Sequence, residues 1–192
     1  MILLILGLVI FLGVHSVRIV GEDWRTRTRA RIGDNAWKGA YSLLSIIGLV
    51  LIVWGYGLAR QQPVPLWTPM LWPRHLAALL TLFAFILLAA AYVPKNSIKA
   101  RLHHPMILGV KIWALAHLLA NHTLADLLLF GGFVLWAVFS FRAARARDRA
   151  AGIVYPQGSA TGTLITVVLG SAAWAGFAFW AHGALLGVRP FG

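Results

Sequence analysis

The chain has 192 residues, of which 60% are hydrophobic and only 11% charged, and its mean hydropathy is +0.79. A soluble domain is nearer half apolar and a quarter charged, so the composition indicates one integral membrane domain over residues 1–192. The formal charge of +12 is gathered in short connections between apolar segments, which is a topology signal and not a nucleic-acid-binding surface. The absence of cysteine excludes disulfides, iron–sulfur clusters and cysteine nucleophiles, so a transition-metal site must use histidine.

Six apolar segments follow one another along the chain, and each is predicted to form a transmembrane helix. A helix needs about 20 apolar residues to cross the hydrocarbon core of a bilayer. The first segment lacks a basic start and a small-residue cleavage motif, so it is interpreted as a retained helix and not a signal peptide. The segments cover residues 2–20, 36–58, 75–93, 106–120, 124–141 and 162–186.

The fourth segment is short, and only residues 121–123 separate it from the fifth. This spacing predicts a helical hairpin between the two. The fold class is therefore predicted to be an all-α integral membrane protein. It is a bundle of about six transmembrane helices in which the fourth and fifth form a short-turn hairpin.

The basic residues are distributed unequally between the two sides of the predicted bundle. The first, third and fifth connections hold six, three and four lysines and arginines, against three on the opposite side, with Lys111 inside a helix. Because cytoplasmic loops carry the excess of Lys and Arg, both termini are predicted to be periplasmic and the basic loops cytoplasmic. The expected location is the bacterial inner membrane, where the basic loops would contact anionic lipids.

An ionisable imidazole, His117, lies in the middle of the fourth apolar segment, about 18 Å from its start at about 1.5 Å per residue. Such groups are costly in hydrocarbon, so they mark candidate functional sites. Four-residue steps place Gly109, Trp113, His117 and Asn121 on one helical stripe. A small residue and a large aromatic beside a histidine could accommodate a flat macrocycle. The alternative is a structural histidine hydrogen-bonded to a neighbouring helix.

His15 repeats this arrangement in the first segment, on a stripe with Gly7 and Phe11. The two histidines together could ligate one haem iron as neutral imidazoles from two facing helices. Their predicted depths differ by about 9 Å, a gap that helix tilt would reduce. Haem propionates would then reach Arg18 and Arg25 at the cytoplasmic side. The alternative is an interfacial histidine, with Arg18 extending to the headgroups.

The remaining histidines lie near the ends of predicted segments. His104 precedes Pro105, as expected at a helix start, and is predicted to face a different side of the helix from His117. His103 and His104 could bind an anion such as a phosphate headgroup, or could belong to a basic cluster that only sets topology. A second, outer metal site is the other open alternative. It would use His75, His122 and His182.

Several motifs resemble the NnrU family, over essentially the whole chain. They are His15-Ser16, His104-Pro105-Met106, the Trp-Ala-Leu-Ala-His run of residues 113–117, Leu-Leu-Ala-Asn at 118–121, residues 125–133 and the Arg-rich tail at 142–156. The family takes its name from bacterial denitrification and is associated with nitrite and nitric oxide metabolism. Its plant and cyanobacterial relative, cis-zeta-carotene isomerase, is an integral membrane enzyme with haem b ligated by two histidines.

The resemblance implies a haem b cofactor whose iron is ligated by His15 and His117. Trp113 and Arg18, from the stripe and depth arguments above, would complete the cofactor-binding residues. The implied function is a role in nitric oxide and denitrification metabolism, or isomerisation of a polyene such as zeta-carotene by a haem-dependent isomerase. The isomerase carries a cysteine three residues before its later ligand. Ala114 stands at that position here, which argues against a thiolate-exchange cycle.

Two other functions stay open at this point. The chain could be a non-enzymatic membrane accessory or assembly factor for denitrification enzymes, with structural histidines and no haem. It could also be a lipid-modifying methyltransferase, because Arg101 to Pro105 resembles an element of the isoprenylcysteine carboxyl methyltransferases, whose later acidic signature is not evident here. The substrate is predicted only by class, as a hydrophobic small molecule or nitric oxide.

Overall fold

The computed structural model describes residues 1–68 and 72–191, and in these ranges the chain is helical without β-strands. Residues 69–71 and 192, which the predicted single domain includes, lie outside the described residues. The elements are α1 (Ile2–Val20), α2 (Glu22–Ile32), α3 (Asp34–Ala59), α4 (Trp72–Tyr92), α5 (Ser97–Leu102), α6 (Pro105–Ala120), α7 (Leu124–Ala150), α8 (Ala160–Gly176), a π-helical segment (Phe177–Ala181) and α9 (His182–Leu186).

Five helical stretches are long and apolar enough to cross a membrane, which confirms the predicted all-α membrane class. They are α1, α3, α4, α7 and the combined stretch Ala160–Leu186. The predicted fourth helix corresponds to α6, which has only 16 residues, so the count of six spans is approximate. The last stretch is interrupted by the π-helical segment, an irregularity that the apolar pattern did not indicate.

Two basic connections contain helices where the sequence predicted loops. The first holds α2, in which Glu22 and Asp23 lie in the first turn and Arg29 and Arg31 in the last, matching the helix dipole at both ends. Arg29 donates two hydrogen bonds to Asp34, at 2.6 Å and 2.5 Å. The third connection holds the short helix α5.

The predicted fifth segment also proved longer than its apolar part. Helix α7 continues to Ala150, through residues 142–150 that the sequence assigned to a cytoplasmic loop. Arginine and alanine dominate this extension, and both are good helix formers, so the helix persists after the apolar stretch ends.

The described residues fall into two compact units. The first unit comprises Met1–Thr68 and His122–Ala144, and the second comprises the described parts of Pro69–Asn121 and Arg145–Gly192. Helix α6 therefore lies in the second unit, whereas most of α7 lies in the first. The three-residue connection between them is confirmed. The packing of α6 on α7 as a hairpin, and the single domain, stay predictions.

In the first unit, α1 packs closely on α3 because glycines remove side chains from the contact. A Cβ atom at Gly7 would lie 2.6 Å from the backbone nitrogen of Ile52, and one at Gly48 would lie 2.8 Å from the backbone nitrogen of Phe11. Distances this short leave no room for any side chain, so the two backbones are in direct contact along the stripe that ends at His15.

In the second unit, α4 contacts both α6 and α8, again through glycines. A Cβ at Gly109 would lie 3.0 Å from the carbonyl oxygen of Ala84, and one at Gly170 would lie 2.5 Å from the Cα of Ile86. The buried amide of Asn96 caps α5, accepting from Lys99 N at 2.7 Å and donating to the carbonyl of Ala90 at 2.9 Å. This residue joins the end of α4 to the start of α5.

Candidate functional site

His15 is held by the residue one helical turn before it. Its Nδ1 lies 2.7 Å from the carbonyl oxygen of Phe11, and the Phe11 ring stacks on the imidazole at a centroid distance of 4.2 Å and an angle of 26°. A carbonyl oxygen only accepts hydrogen bonds, so the proton of the neutral ring resides on Nδ1. The lone pair of Nε2 is then the one that a metal ion can use.

Aromatic rings from two other helices of the first unit surround this imidazole. The ring centroid of Tyr41 on α3 lies 5.2 Å from that of His15, and the centroid of Trp136 on α7 lies 6.1 Å away with its ring at 84°. The indole nitrogen of Trp136 is buried and has no hydrogen-bond partner within the described structure. The sequence pattern indicates neither Tyr41 nor Trp136 as a neighbour of His15, because their approach depends on how three helices pack.

The two arginines predicted to receive haem propionates share one carboxylate. Arg18 Nε donates to Glu22 at 3.3 Å, and Arg25 Nη1 donates to the other oxygen of Glu22 at 2.9 Å. Arg18 is largely exposed, whereas the side chain of Arg25 is mostly covered. Both guanidinium groups also interact electrostatically with the hydroxyl of Tyr41. The ring of Tyr41 lies beside that of His15, so the two arginines are near this histidine.

His117 is held in the same way as His15, in the second unit. Its Nδ1 lies 2.8 Å from the carbonyl oxygen of Trp113, and the two ring centroids are 5.1 Å apart. The predicted position was wrong in one respect, since His117 lies in the last turn of α6 and not at mid-helix. The helix ends after Ala120 because Asn121 turns to extended backbone, while its amide side chain donates to the carbonyl of His117 at 2.8 Å.

Within each predicted stripe, the histidine contacts the aromatic residue one turn before it, while the joint site stays a prediction. His15 with Phe11 lies in the first unit, and His117 with Trp113 lies in the second. In each unit the imidazole has a carbonyl partner for Nδ1 and an adjacent aromatic ring. Ligation of one iron by both histidines is a hypothesis that requires one residue from each unit.

A second group of titratable side chains lies in the second unit, around Asp148. This carboxylate accepts from Tyr155 at 2.9 Å and is 2.8 Å from Nε2 of His104. The ring of His103 packs on Tyr155 at a centroid distance of 4.1 Å and contacts the guanidinium of Arg145. Partial removal from water, reinforced by the charge of Arg145, lowers the pKa of His103. Burial, followed by the hydrogen bond to Asp148, raises the pKa of Tyr155.

The backbone at His103 has an unusual conformation, with φ 69° and ψ −51°. The amide of His104 donates to the carbonyl of Leu102 at 2.8 Å, which closes a γ-turn of the rare type with positive φ. Pro105 then begins α6, as the sequence predicted. His103 and His104 thus both approach the carboxylate of Asp148. The γ-turn at His103 lets two consecutive rings face the same group.

The outer histidines do not gather into a site. Within residues 1–68 and 72–191 no group of three histidine, aspartate or glutamate side chains is arranged to hold a metal ion. His182 Nδ1 lies 2.6 Å from the carbonyl of Val188, and His75 is exposed at the start of α4. A haem site is of a different kind, because the macrocycle occupies four positions of the iron and the protein supplies one or two.

A buried carboxylate for which the sequence predicted no role joins α3 to α7 in the first unit. Tyr56 donates to Asp126 at 2.5 Å, and the second oxygen of Asp126 accepts from the backbone and the hydroxyl of Thr123, at 2.9 Å and 2.6 Å. Asp126 is only 5% exposed. The Thr-x-x-Asp spacing before an apolar run is a helix-capping signal that indicates part of this network from sequence.

The model of the NnrU protein family matches residues 3–190, which is nearly the whole chain. No curated protein and no solved structure matches the chain.

Proposed function

The chain belongs to the NnrU family, and on this premise we propose that it is a haem b-binding membrane protein of nitric oxide and denitrification metabolism. In this proposal His15 and His117 would ligate the iron, and Trp113 and Arg18 would be among the residues that hold the cofactor. The family match supports a membrane protein related to denitrification. The haem is proposed from the surroundings of the two histidines.

One observation supports the ligand assignment more than any other. Both imidazoles donate Nδ1–H to the backbone carbonyl of an aromatic residue one turn earlier, at 2.7 Å for His15 and 2.8 Å for His117. Histidines that ligate metals typically make this second hydrogen bond, which orients the ring and increases the basicity of the other nitrogen. The aromatic rings of Phe11 and Trp113 lie beside the two imidazoles. These rings support the proposal, because a planar group could pack against an aromatic face beside each imidazole.

In this proposal the cofactor supplies the chemistry, and the residues of the chain orient and enclose it. When bound, haem b supplies a redox-active iron that binds diatomic ligands such as nitric oxide. The carbonyls of Phe11 and Trp113 hold each imidazole in the tautomer that presents Nε2. The apolar helices would exclude water from a bound cofactor, and the arginines near the end of α1 could receive its carboxylates. Ala114, buried one turn before His117, supplies no ligand of its own, which favours nitric oxide chemistry over thiolate-dependent isomerisation.

The first test is an absorption spectrum of the detergent-purified protein after haem-replete expression, oxidised and dithionite-reduced, with and without nitric oxide. The proposal predicts a Soret band with sharp α and β bands in the reduced state, and a spectral change with nitric oxide. His15→Ala and His117→Ala should each abolish or shift the low-spin spectrum. His75→Ala, at an exposed position of α4, is the matched control and should leave it unchanged.

A protein without visible absorption under these conditions overturns the haem proposal. It would instead support the accessory or assembly factor, which predicts co-purification with a reductase complex and no colour. Retention of the full spectrum by His117→Ala would remove that residue from the ligand set, even if haem is bound.

A further inference from the structure

The indole of Trp136 carries an unsatisfied donor in the interior of the first unit. Its Nε1 is buried, and within the described residues it is the one buried side-chain nitrogen or oxygen without a hydrogen-bond partner. A buried N–H without an acceptor costs about 1–3 kcal/mol, so native structures rarely contain one without a reason. An acceptor that belongs to a bound ligand is such a reason.

The surroundings of this donor show which ligand chemistry fits. The Trp136 ring lies edge-on to the His15 ring at 6.1 Å, and Tyr41 lies on another side of His15 at 5.2 Å. The positive charges of Arg18 and Arg25 act on the hydroxyl of Tyr41. A buried N–H donor favours an anionic oxygen acceptor, because hydrogen bonds to ionised groups are about twice as strong as neutral ones.

We infer that Trp136 is a cofactor-binding residue whose indole N–H donates to a carboxylate of the macrocycle bound at His15. The inference rests on the proposed function, because the carboxylate is a propionate of haem b. Trp136 contributes to binding and to the orientation of the group, and it takes no part in the ligation of iron. Neither the helical stripe of His15 nor the family motifs contain this residue.

The test compares the rates at which haem leaves the full-length, haem-loaded protein in detergent, measured by transfer to an excess of a haem-scavenging globin. Trp136→Phe keeps an aromatic ring beside His15 and lacks the N–H. It should release haem b about tenfold faster than the wild type, the effect expected for the loss of one hydrogen bond to a charged acceptor. Trp54→Phe is the matched control, since Trp54 is an exposed tryptophan of α3 in the same unit. Its rate should equal that of the wild type.

A modified cofactor provides the second comparison. After reconstitution with the dimethyl ester of haem b, which has no carboxylate, the ratio between Trp136→Phe and wild-type release rates should fall to about twofold or less. Equal ratios for the two cofactors, or a wild-type rate for Trp136→Phe with haem b, would overturn the inference. If Trp136→Phe does not fold, 3-benzothienylalanine at position 136 keeps the shape of the indole, lacks the N–H and serves the same comparison.

The two proposals fail in different ways. Failure of the wild type to bind haem defeats the proposed function and this inference together. Loss of haem in His15→Ala combined with a wild-type release rate in Trp136→Phe defeats the inference alone.

Discussion

The two units contain the same nine-residue arrangement and differ in what surrounds it. In the first unit it is Gly7, Phe11 and His15; in the second it is Gly109, Trp113 and His117. In both, glycine brings the helix against a neighbour, and the aromatic residue supplies a carbonyl and a ring to the histidine. The internal geometry of each arrangement therefore follows from helical periodicity.

The difference lies in how tightly each arrangement is packed. A Cβ at Gly7 would lie 2.6 Å from the backbone of α3, against 3.0 Å between a Cβ at Gly109 and the backbone of α4. Two further aromatic rings, from α3 and α7, approach His15, whereas His117 lies at a helix end with Asn121 donating to its carbonyl. We expect the helix contact of the His15 stripe to tolerate substitution less well than that of the His117 stripe, and four predictions start from this comparison.

The largest effect is expected at Gly48, which holds Phe11 in place against α3. Gly48→Leu should destabilise the protein by about 3 kcal/mol, because its side chain would enter the space of the Phe11 backbone. If the proposed function holds, haem affinity should fall with it, since Phe11 orients His15. Gly57→Leu is the control on the same helix, at a position where a Cβ meets nothing within 4 Å. Thermal unfolding in detergent measures both, and equal midpoints would show that α1–α3 packing is not tight.

Loss of the tyrosine that joins α3 to α7 comes next. Tyr56→Phe removes the hydrogen bond to the buried carboxylate of Asp126 and should cost about 2 kcal/mol, the usual range for a bond to a charged acceptor. Tyr92→Phe, at an exposed position at the end of α4, should cost nothing measurable. Chemical denaturation of the two variants compares them, and similar values would mean that Asp126 is satisfied by Thr123 alone.

A milder change is expected at the glycine of the second unit. Gly109→Ala places a methyl group 3.0 Å from the carbonyl of Ala84 and 3.3 Å from side chains of α4, so a small shift accommodates it at about 1 kcal/mol. Gly176→Ala, where a Cβ meets nothing within 4 Å, is the control. A larger loss for Gly109→Ala than for Gly48→Leu would reverse the expected order of the two units.

The smallest effect concerns pH and the cluster around Asp148. The pKa of His103 in the folded protein is lowered from 6.5 by partial removal from water and by Arg145. The unfolded chain therefore takes up the proton first as pH falls. The contribution of neutral His103 to the free energy of unfolding is fully present above about pH 6.5. It is lost as pH falls from there through the folded-state pKa. Unfolding temperatures between pH 5 and 8 should show this decline, and His103→Gln should flatten it, whereas His75→Gln should retain it.

Long-range contacts set the limit of what the sequence could predict about the site. The Gly–aromatic–His stripes were predicted correctly because their partners are four residues apart, and a helix places such residues together whatever surrounds it. The acceptor of Tyr56 is 70 residues away and lies in another helix. The neighbours of His15, Tyr41 on α3 and Trp136 on α7, also lie in other helices, far from His15 in sequence. Periodicity carries no information about such pairs, so Trp136 and Tyr41 could not be assigned to the site.

Composition and periodicity alone determined the all-α membrane class, the apolar segments and both candidate histidines, because each depends on hydropathy or on spacing within one helix. The boundaries were decided by local hydrogen bonding: α7 continues through its Arg-rich end, α2 and α5 form in basic connections, and Asn121 ends α6 one turn after His117. Only the tertiary structure decided which backbones meet at Gly7 and Gly48, and that a buried indole N–H lies beside His15. The physical reason is that close packing and polar satisfaction depend on atoms from different helices.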